Sequence, residues 1–299
     1  MYGVFMASLD DNYGYLKHLK IPVEDRRQYG ISLVKAYNKW GMKVASISPR
    51  IRPALPVFGE TVDELFQMAR ELVAAGIRAV WLPTNWLPGG KSPAHPALDP
   101  FWELMVANKV AVCLHVGAES KIYGTDEWSN APAFQGFRLF AEFKIDPWSR
   151  TNAHVTAQNF VSTMVLGGVF DRHPNLYLGV IELGAYWVGP MCDTMDIWYK
   201  NLATHQKGTE PCYRLPKKPS DYIRSNVRVS CYDFEEVDVY ITRHNLEDVL
   251  CFASDYPHVE GGKNPAGAWL NRLKPLGKEI VEKFFVTNAK LLLPEAARA

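Results

Sequence analysis

Short apolar runs alternate with longer amphipathic stretches along most of the chain. The runs cover residues 2–6, 43–47, 77–82, 110–116, 176–183, 227–232 and 249–254. Their length and their near-continuous apolar character predict strands buried on both faces. Between them, residues 61–75 show the clearest helical period. Val62, Leu65, Phe66, Ala69, Leu72 and Val73 recur at i, i+3, i+4 spacing, and Gly76 supplies a stop. Strands that each lead into a helix predict a parallel sheet wrapped by helices. Seven such strands fit a barrel of eight better than an open sheet. No Gly-x-Gly-x-x-Gly follows any of them, which argues against a dinucleotide-binding fold. The expectation is an α/β, TIM-barrel-like fold. No low-complexity segment or Gly/Ser linker divides the chain, so residues 1–299 read as one domain.

In such barrels chemistry sits at the C-terminal ends of the strands. VAVCLHVG closes on His115, LYLGVIELG on Glu182, and VLCFASDYPH on Asp255 with His258 just beyond. Alternation puts Ala111, Cys113 and His115 on one face of their strand, and Cys251, Ala253 and Asp255 on one face of theirs. With the large residues turned to the helices, His115 and Asp255 converge at the barrel mouth. Imidazole and carboxylate together are ligands for Zn²⁺ or a similar divalent ion, whose bound water Asp255 is placed to deprotonate. Singly, His115 reads as a core histidine and Asp255 as a helix cap. Their coincidence at matching strand ends favours a site.

Arg50 and Arg52, in ISPRIRP, read as lying at the active end of an early strand, where they bind a substrate carboxylate or make rim salt bridges. His173 falls in a turn at the opposite end and reads as structural. His18, His95, His154, His205 and His244 receive no role. Residues 118–153, rich in Trp and Phe, and the polar residues 201–220 read either as lids over the site or as surfaces against a neighbouring subunit.

Composition narrows the class. A net charge of +1 with scattered Lys and Arg leaves no nucleic-acid footprint. The five cysteines form no C-x-x-C pair and read as reduced, buried thiols. With no signal-peptide pattern and no apolar run of membrane-spanning length, a soluble, cytoplasmic protein is expected.

The stretches LHVG, GGVFDRHPNLYLGVIELGAYWVGPMCDTMD and FASDYPHVEGG resemble the amidohydrolase-related family. This is the branch of the amidohydrolase superfamily that contains aminocarboxymuconate-semialdehyde decarboxylase and γ-resorcylate decarboxylase. AYNKW and HPALDPFWELMVANKV fit the same branch, and the resemblance runs from about residue 29 to 290. It implies a TIM barrel with one divalent metal, usually zinc, with His115 as the fifth-strand ligand and Asp255 as the eighth-strand ligand. At the sixth-strand position the decarboxylases carry histidine, and this chain carries Glu182. The family draws two further ligands from a His-x-His or Glu-x-His on its first strand, and no such pair occurs here. Met1 falls inside what reads as the second strand. The expected fold therefore has seven strands with the first absent, as in a truncated gene model, and an incomplete zinc site.

The resulting expectation is a metal-dependent hydrolase of a small-molecule C–N or C–O bond. Its catalytic groups are Asp255, Glu182 and His258, its metal ligands His115 and Asp255, and its substrate contacts Arg50, Arg52 and Trp187. The alternatives are non-oxidative decarboxylation of an unsaturated or aromatic acid, and a barrel that only binds or is an inactive fragment. The partner expected is a small molecule, with neither nucleic acid nor membrane, and a homodimer stays open.

Overall fold

The computed structural model describes residues 20–84, 88–116, 128, 131–134, 147–205, 215–256, 258 and 261–294. Six strands form one sheet: β1 (Ala54–Pro56), β2 (Ala79–Trp81), β3 (Ala111–His115), β4 (Leu178–Ile181), β5 (Val227–Ser230) and β6 (Leu250–Cys251). They lie side by side in chain order, and every neighbouring pair is parallel. A doubly wound sheet reverses its order at a switch point, whereas this order runs one way, as in an arc of a barrel. The sheet is not closed among the described residues. Its helices include α1 (Val23–Ala45), α2 (Val62–Ala74), α3 (Asp99–Ala107), α4 (Pro147–Asn152), α5 (Val155–Leu166), α6 (Val169–Arg172), α7 (Val188–His205), α8 (Pro219–Asn226), α9 (Val237–His244), α10 (Pro265–Leu273), α11 (Lys278–Glu282) and α12 (Asn288–Leu292).

Five predicted runs become β2 to β6. Residues 43–47 do not form a strand. They finish α1, where the Ser46 N–H donates to the Met42 carbonyl at 3.2 Å. The run is short enough to be ambiguous, and Val34, Asn38, Met42 and Ala45 continue one buried helical face into it. The strand at this point of the fold is β1, in RPALPVFG, where two prolines mask the pattern. Proline is tolerated because β1 lies at an edge of the described sheet. The Asn38 side chain donates to the Pro56 carbonyl at 2.9 Å, so α1 satisfies part of that edge. The predicted strand at 2–6 lies outside the described residues, as does most of the predicted lid at 118–153.

The predicted alternation holds. Leu55, Val80, Val112, Leu114, Leu178, Val180, Val227, Val229 and Leu250 face the helices in one continuous core. The opposite face carries Ala54, Trp81, Ala111, Cys113, Ile181 and Cys251. At the N-terminal end of that inner face, Leu292 of α12 packs with Ala111 and Cys251 and plugs the hollow. Gly179 makes room for it, since a Cβ there would meet both Leu292 methyls at 3.0 Å and the Cys113 sulfur at 3.2 Å. Helix α2 forms as its pattern predicts. Thr61 and Glu64 close a capping box, and Leu65, Ala69, Leu72 and Val73 are buried. Each large side chain so buried contributes roughly 1.5–3 kcal/mol.

Candidate active site

The ends of β3, β4 and β6 deliver the predicted polar residues to one place. His115 ends β3 and pairs in register with Ile181, so Glu182 stands one step beyond it on β4. The side chains meet with His115 Nε2 3.1 Å from Glu182 Oε2. His258 Nδ1 lies 3.3 Å from Asp255 Oδ1 and 3.6 Å from Glu182 Oε1. Glu182, Asp255 and His258 each turn a ligand atom into a sphere in which no two such atoms are more than 4.8 Å apart. His115, Glu182 and Asp255 are largely buried, at 19%, 11% and 18% side-chain exposure, whereas His258 is half exposed.

The backbone works to aim these groups. Glu182 has φ 60° and Asp255 φ 51°, the left-handed region that non-glycine residues avoid at a cost of roughly 1–2 kcal/mol. At Glu182 the next strand end holds that conformation. The Glu182 N–H donates to Ser230 Oγ at 3.0 Å, and Tyr232 Oη donates to the Glu182 carbonyl at 2.6 Å. Strain held by surrounding contacts is typical of functional residues. At Asp255 the turn closes through the His258 N–H, which donates to the Asp255 carbonyl at 2.8 Å.

The donor set fits a divalent cation. His115 Nδ1 stands 2.8 Å from the Val116 carbonyl, which only accepts, so Nδ1 carries the proton. With Nε2 unprotonated, His115 turns a lone pair toward the Glu182 carboxylate, and two acceptors 3.1 Å apart repel unless a cation or proton joins them. Nitrogen and oxygen ligands about 2.1 Å from a shared ion stand roughly 3.0–3.5 Å apart, close to the separations observed. A histidine ligand whose second nitrogen donates to a carbonyl is also the usual arrangement.

The other predicted contacts lie elsewhere. Arg50 and Arg52 precede β1 rather than follow a strand, which puts them at the N-terminal end of the sheet. Arg50 is exposed, and Arg52 Nη1 donates to the Leu293 carbonyl at 2.6 Å, beyond α12. The shift follows from reading 43–47 as a strand. Trp187 is buried in the core, its indole N–H donating to the Gly184 carbonyl at 2.8 Å, so it packs behind the site loop. His173 bonds Asp99 at 3.2 Å at the far end, a structural contact as expected.

Several site residues escaped the sequence reading. Tyr232 and Ser230 share the inward phase of β5, a signal that was legible. Buried Glu235 accepts from the Ala185 and Tyr186 N–H groups through Oε1, at 2.8 and 3.0 Å, and from the Tyr232 N–H through Oε2 at 2.8 Å. Burial pushes its carboxyl up, against these three donors. Tyr186 Oη in turn lies 3.0 Å from His154 Nδ1 and donates to the Thr151 carbonyl at 3.3 Å, which ties the end of α4 to the loop after β4. Arg150 sits beside Thr151. Burial raises the Tyr232 hydroxyl far above its ordinary value. The Arg150 charge opposes that shift, and the Glu182, Asp255 and Glu235 carboxylates add to it.

No helix of the described residues is long and apolar enough to cross a membrane. Among proteins of curated function, none matches the chain in sequence. Solved structures do match in fold. An amidohydrolase from Mycobacterium avium subsp. paratuberculosis superposes with a TM-score of 0.68 at 21% identity, over 91% of this chain and 66% of that one. A 5-carboxyvanillate decarboxylase from Novosphingobium aromaticivorans, with bound manganese and a nitrobenzoic acid, gives 0.65 at 18% identity, over 89% and 72%. A 2,6-dihydroxybenzoate decarboxylase from Rhizobium gives 0.61 at 17%, over 89% and 78%. The chain thus spans about two thirds to three quarters of the length of these relatives. The amidohydrolase family model matches residues 15–294, and the chain belongs to that family of enzymes.

Proposed function

We propose that the chain is a metal-dependent carboxy-lyase that removes CO₂, without oxidation, from a small unsaturated or aromatic acid. The observation that carries the reading is the cluster of donor atoms from Glu182, Asp255 and His258, all within 4.8 Å of one another at the C-terminal end of the sheet, with His115 Nε2 3.1 Å from Glu182. Those residues suit manganese or zinc. When bound there, the cation supplies a fixed positive charge that holds substrate oxygen atoms and draws electron density from the ring or double bond. Hydrolysis, the first expectation from the strand ends alone, uses the same donors. Decarboxylation is preferred because the manganese-bound relative is a decarboxylase of an aromatic acid. Arg150, exposed on α4, also carries a positive charge that opposes the raised hydroxyls of Tyr186 and Tyr232. A guanidinium there recognises a carboxylate, the part expected of Arg50 and Arg52.

In this reading Arg150 orients the acid, and the aromatic rings of Tyr186 and Tyr232 wall the site. The bond between the carboxyl carbon and its neighbour breaks, CO₂ departs, and the electron pair remains on the substrate carbon. Asp255, with His258 Nδ1 at 3.3 Å to share the proton, delivers H⁺ to that carbon. One proton in and one CO₂ out balance the step.

The test is to load the purified chain with Mn²⁺ or Zn²⁺ and incubate it in D₂O with 2,6-dihydroxybenzoate, 5-carboxyvanillate and related acids, beside a panel of amides and esters. CO₂ release with one deuterium at the vacated carbon is expected. Turnover confined to the amides or esters overturns the proposal in favour of hydrolysis.

A further inference from the structure

We infer that Glu235 is the positioning residue of this site, a buried carboxylate that sets the aim of Glu182 and the placement of α4 above it. The inference rests on the reading of Glu182 as a ligand, and the test below separates the two. Glu235 is 5% exposed and touches neither the cluster nor solvent in any substantial way. Its two oxygens bind two different strand-end loops. Oε1 takes the consecutive N–H groups of Ala185 and Tyr186 after β4, and Oε2 takes the N–H of Tyr232 after β5.

From these anchors two chains of contacts lead outward. Tyr232, held by Glu235, donates from its hydroxyl to the Glu182 carbonyl at 2.6 Å and so braces the left-handed turn at Glu182. Tyr186, held by the other oxygen, reaches His154 and the Thr151 carbonyl and so ties down the end of α4 that carries Arg150. The loop from Glu182 to Tyr186 contains Gly184 at φ 66°, a joint that bends freely unless something fixes its far side. Glu235 fixes it. One carboxylate therefore braces both the floor of the site, which would hold the cation, and the end of α4 that carries Arg150.

A glutamine has nearly the same shape but only one acceptor oxygen. In Glu235→Gln one of the two loops must face an NH₂ group, and its buried N–H groups lose their partner. Partners that orient a ligand typically change metal affinity by about 10–100-fold when lost. The experiment compares wild type, Glu235→Gln, Glu235→Ala and the exposed control Glu236→Gln. Mn²⁺ affinity is measured by chelator competition, and amide hydrogen exchange is followed on metal-free protein. The expected result for Glu235→Gln is an Mn²⁺ dissociation constant raised by about 10–100-fold. Faster exchange should be confined to Ala185, Tyr186 or Tyr232, with Val180 and Val229 still protected. Unchanged exchange at all three amides, or an equal loss of protection at Val180 and Val229, overturns the positioning role. If wild type binds no Mn²⁺, the ligand reading of Glu182 falls by itself, and the exchange pattern still decides the role of Glu235. Glu235→Ala is expected to show the same pattern more strongly, and if it fails to fold the glutamine variant carries the test.

Discussion

Glu182 Oε2 lies 3.1 Å from Nε2 of His115, across the gap between two neighbouring parallel strands. The strands themselves place His115 opposite Ile181, and Glu182 reaches back only because its backbone leaves the strand at φ 60°. The pair is therefore built by a turn and not by the ladder. It joins an imidazole whose other nitrogen is committed to a carbonyl to a carboxylate with a second oxygen turned toward His258.

Removing either member should empty the site. His115→Ala and Glu182→Gln each delete a donor atom, so metal affinity should fall beyond the roughly 10–100-fold expected from losing an outer partner. Metal content per chain after gel filtration in metal-free buffer is the measurement. Wild type is expected to retain one ion per chain, and both variants little.

Arg150 should affect recognition of the acid and leave the metal alone. A hydrogen bond to a charged group is worth about 1.5–3 kcal/mol, so Arg150→Ala should weaken binding of a benzoate-type acid by about 10–100-fold. Calorimetric titration of metal-loaded protein checks this, with unchanged Mn²⁺ affinity as the control. Arg52→Ala, at the far end of the sheet, should leave acid binding unchanged.

The plug at the N-terminal end of the sheet should matter for stability. Leu292 is 4% exposed and fills the hollow beside Gly179. Leu292→Ala should cost about 2–5 kcal/mol in urea unfolding, as for other buried leucines.

A pH effect is expected from Asp99. Burial pushes its carboxyl up, but hydrogen bonds from Arg172, at 2.9 and 3.2 Å, and from His173, at 3.2 Å, outweigh burial and hold it below the usual carboxylate range. A depressed folded value means that the contribution is present above the unfolded value of about 3.9 and is lost as pH falls through the lower folded value. Asp99→Asn should therefore be less stable than wild type near neutrality, with the difference shrinking in acid below about pH 4. Urea midpoints at pH 7 and pH 3 report both.

Much of this was legible in the residues. β2 to β6 announce themselves as apolar runs because strands buried on both faces carry little else. β1 does not, because Pro53 abuts its three-residue span and Pro56 ends it. The run at 43–47 misled because five residues cannot separate a strand from the last turn of a helix, and the error carried Arg50 and Arg52 to the wrong end of the sheet. His115, Glu182, Asp255 and His258 were legible because an ionisable group closing a buried strand is conspicuous. Glu235 and Arg150 were not. Glu235 works through backbone groups of loops far apart in sequence, Arg150 is proposed to act across a loop, and linear spacing encodes neither.

The left-handed turns at Glu182 and Asp255 set the chain at odds with any search for robustness. Glycine adopts that backbone without the Cβ clash, so a glycine at either place should relax the turn and raise the melting temperature. The same exchange erases a carboxylate from the donor cluster. Breeding this protein for heat tolerance alone, with no demand for turnover, should therefore discard the two acids early, and the hardiest descendants would be the inert ones.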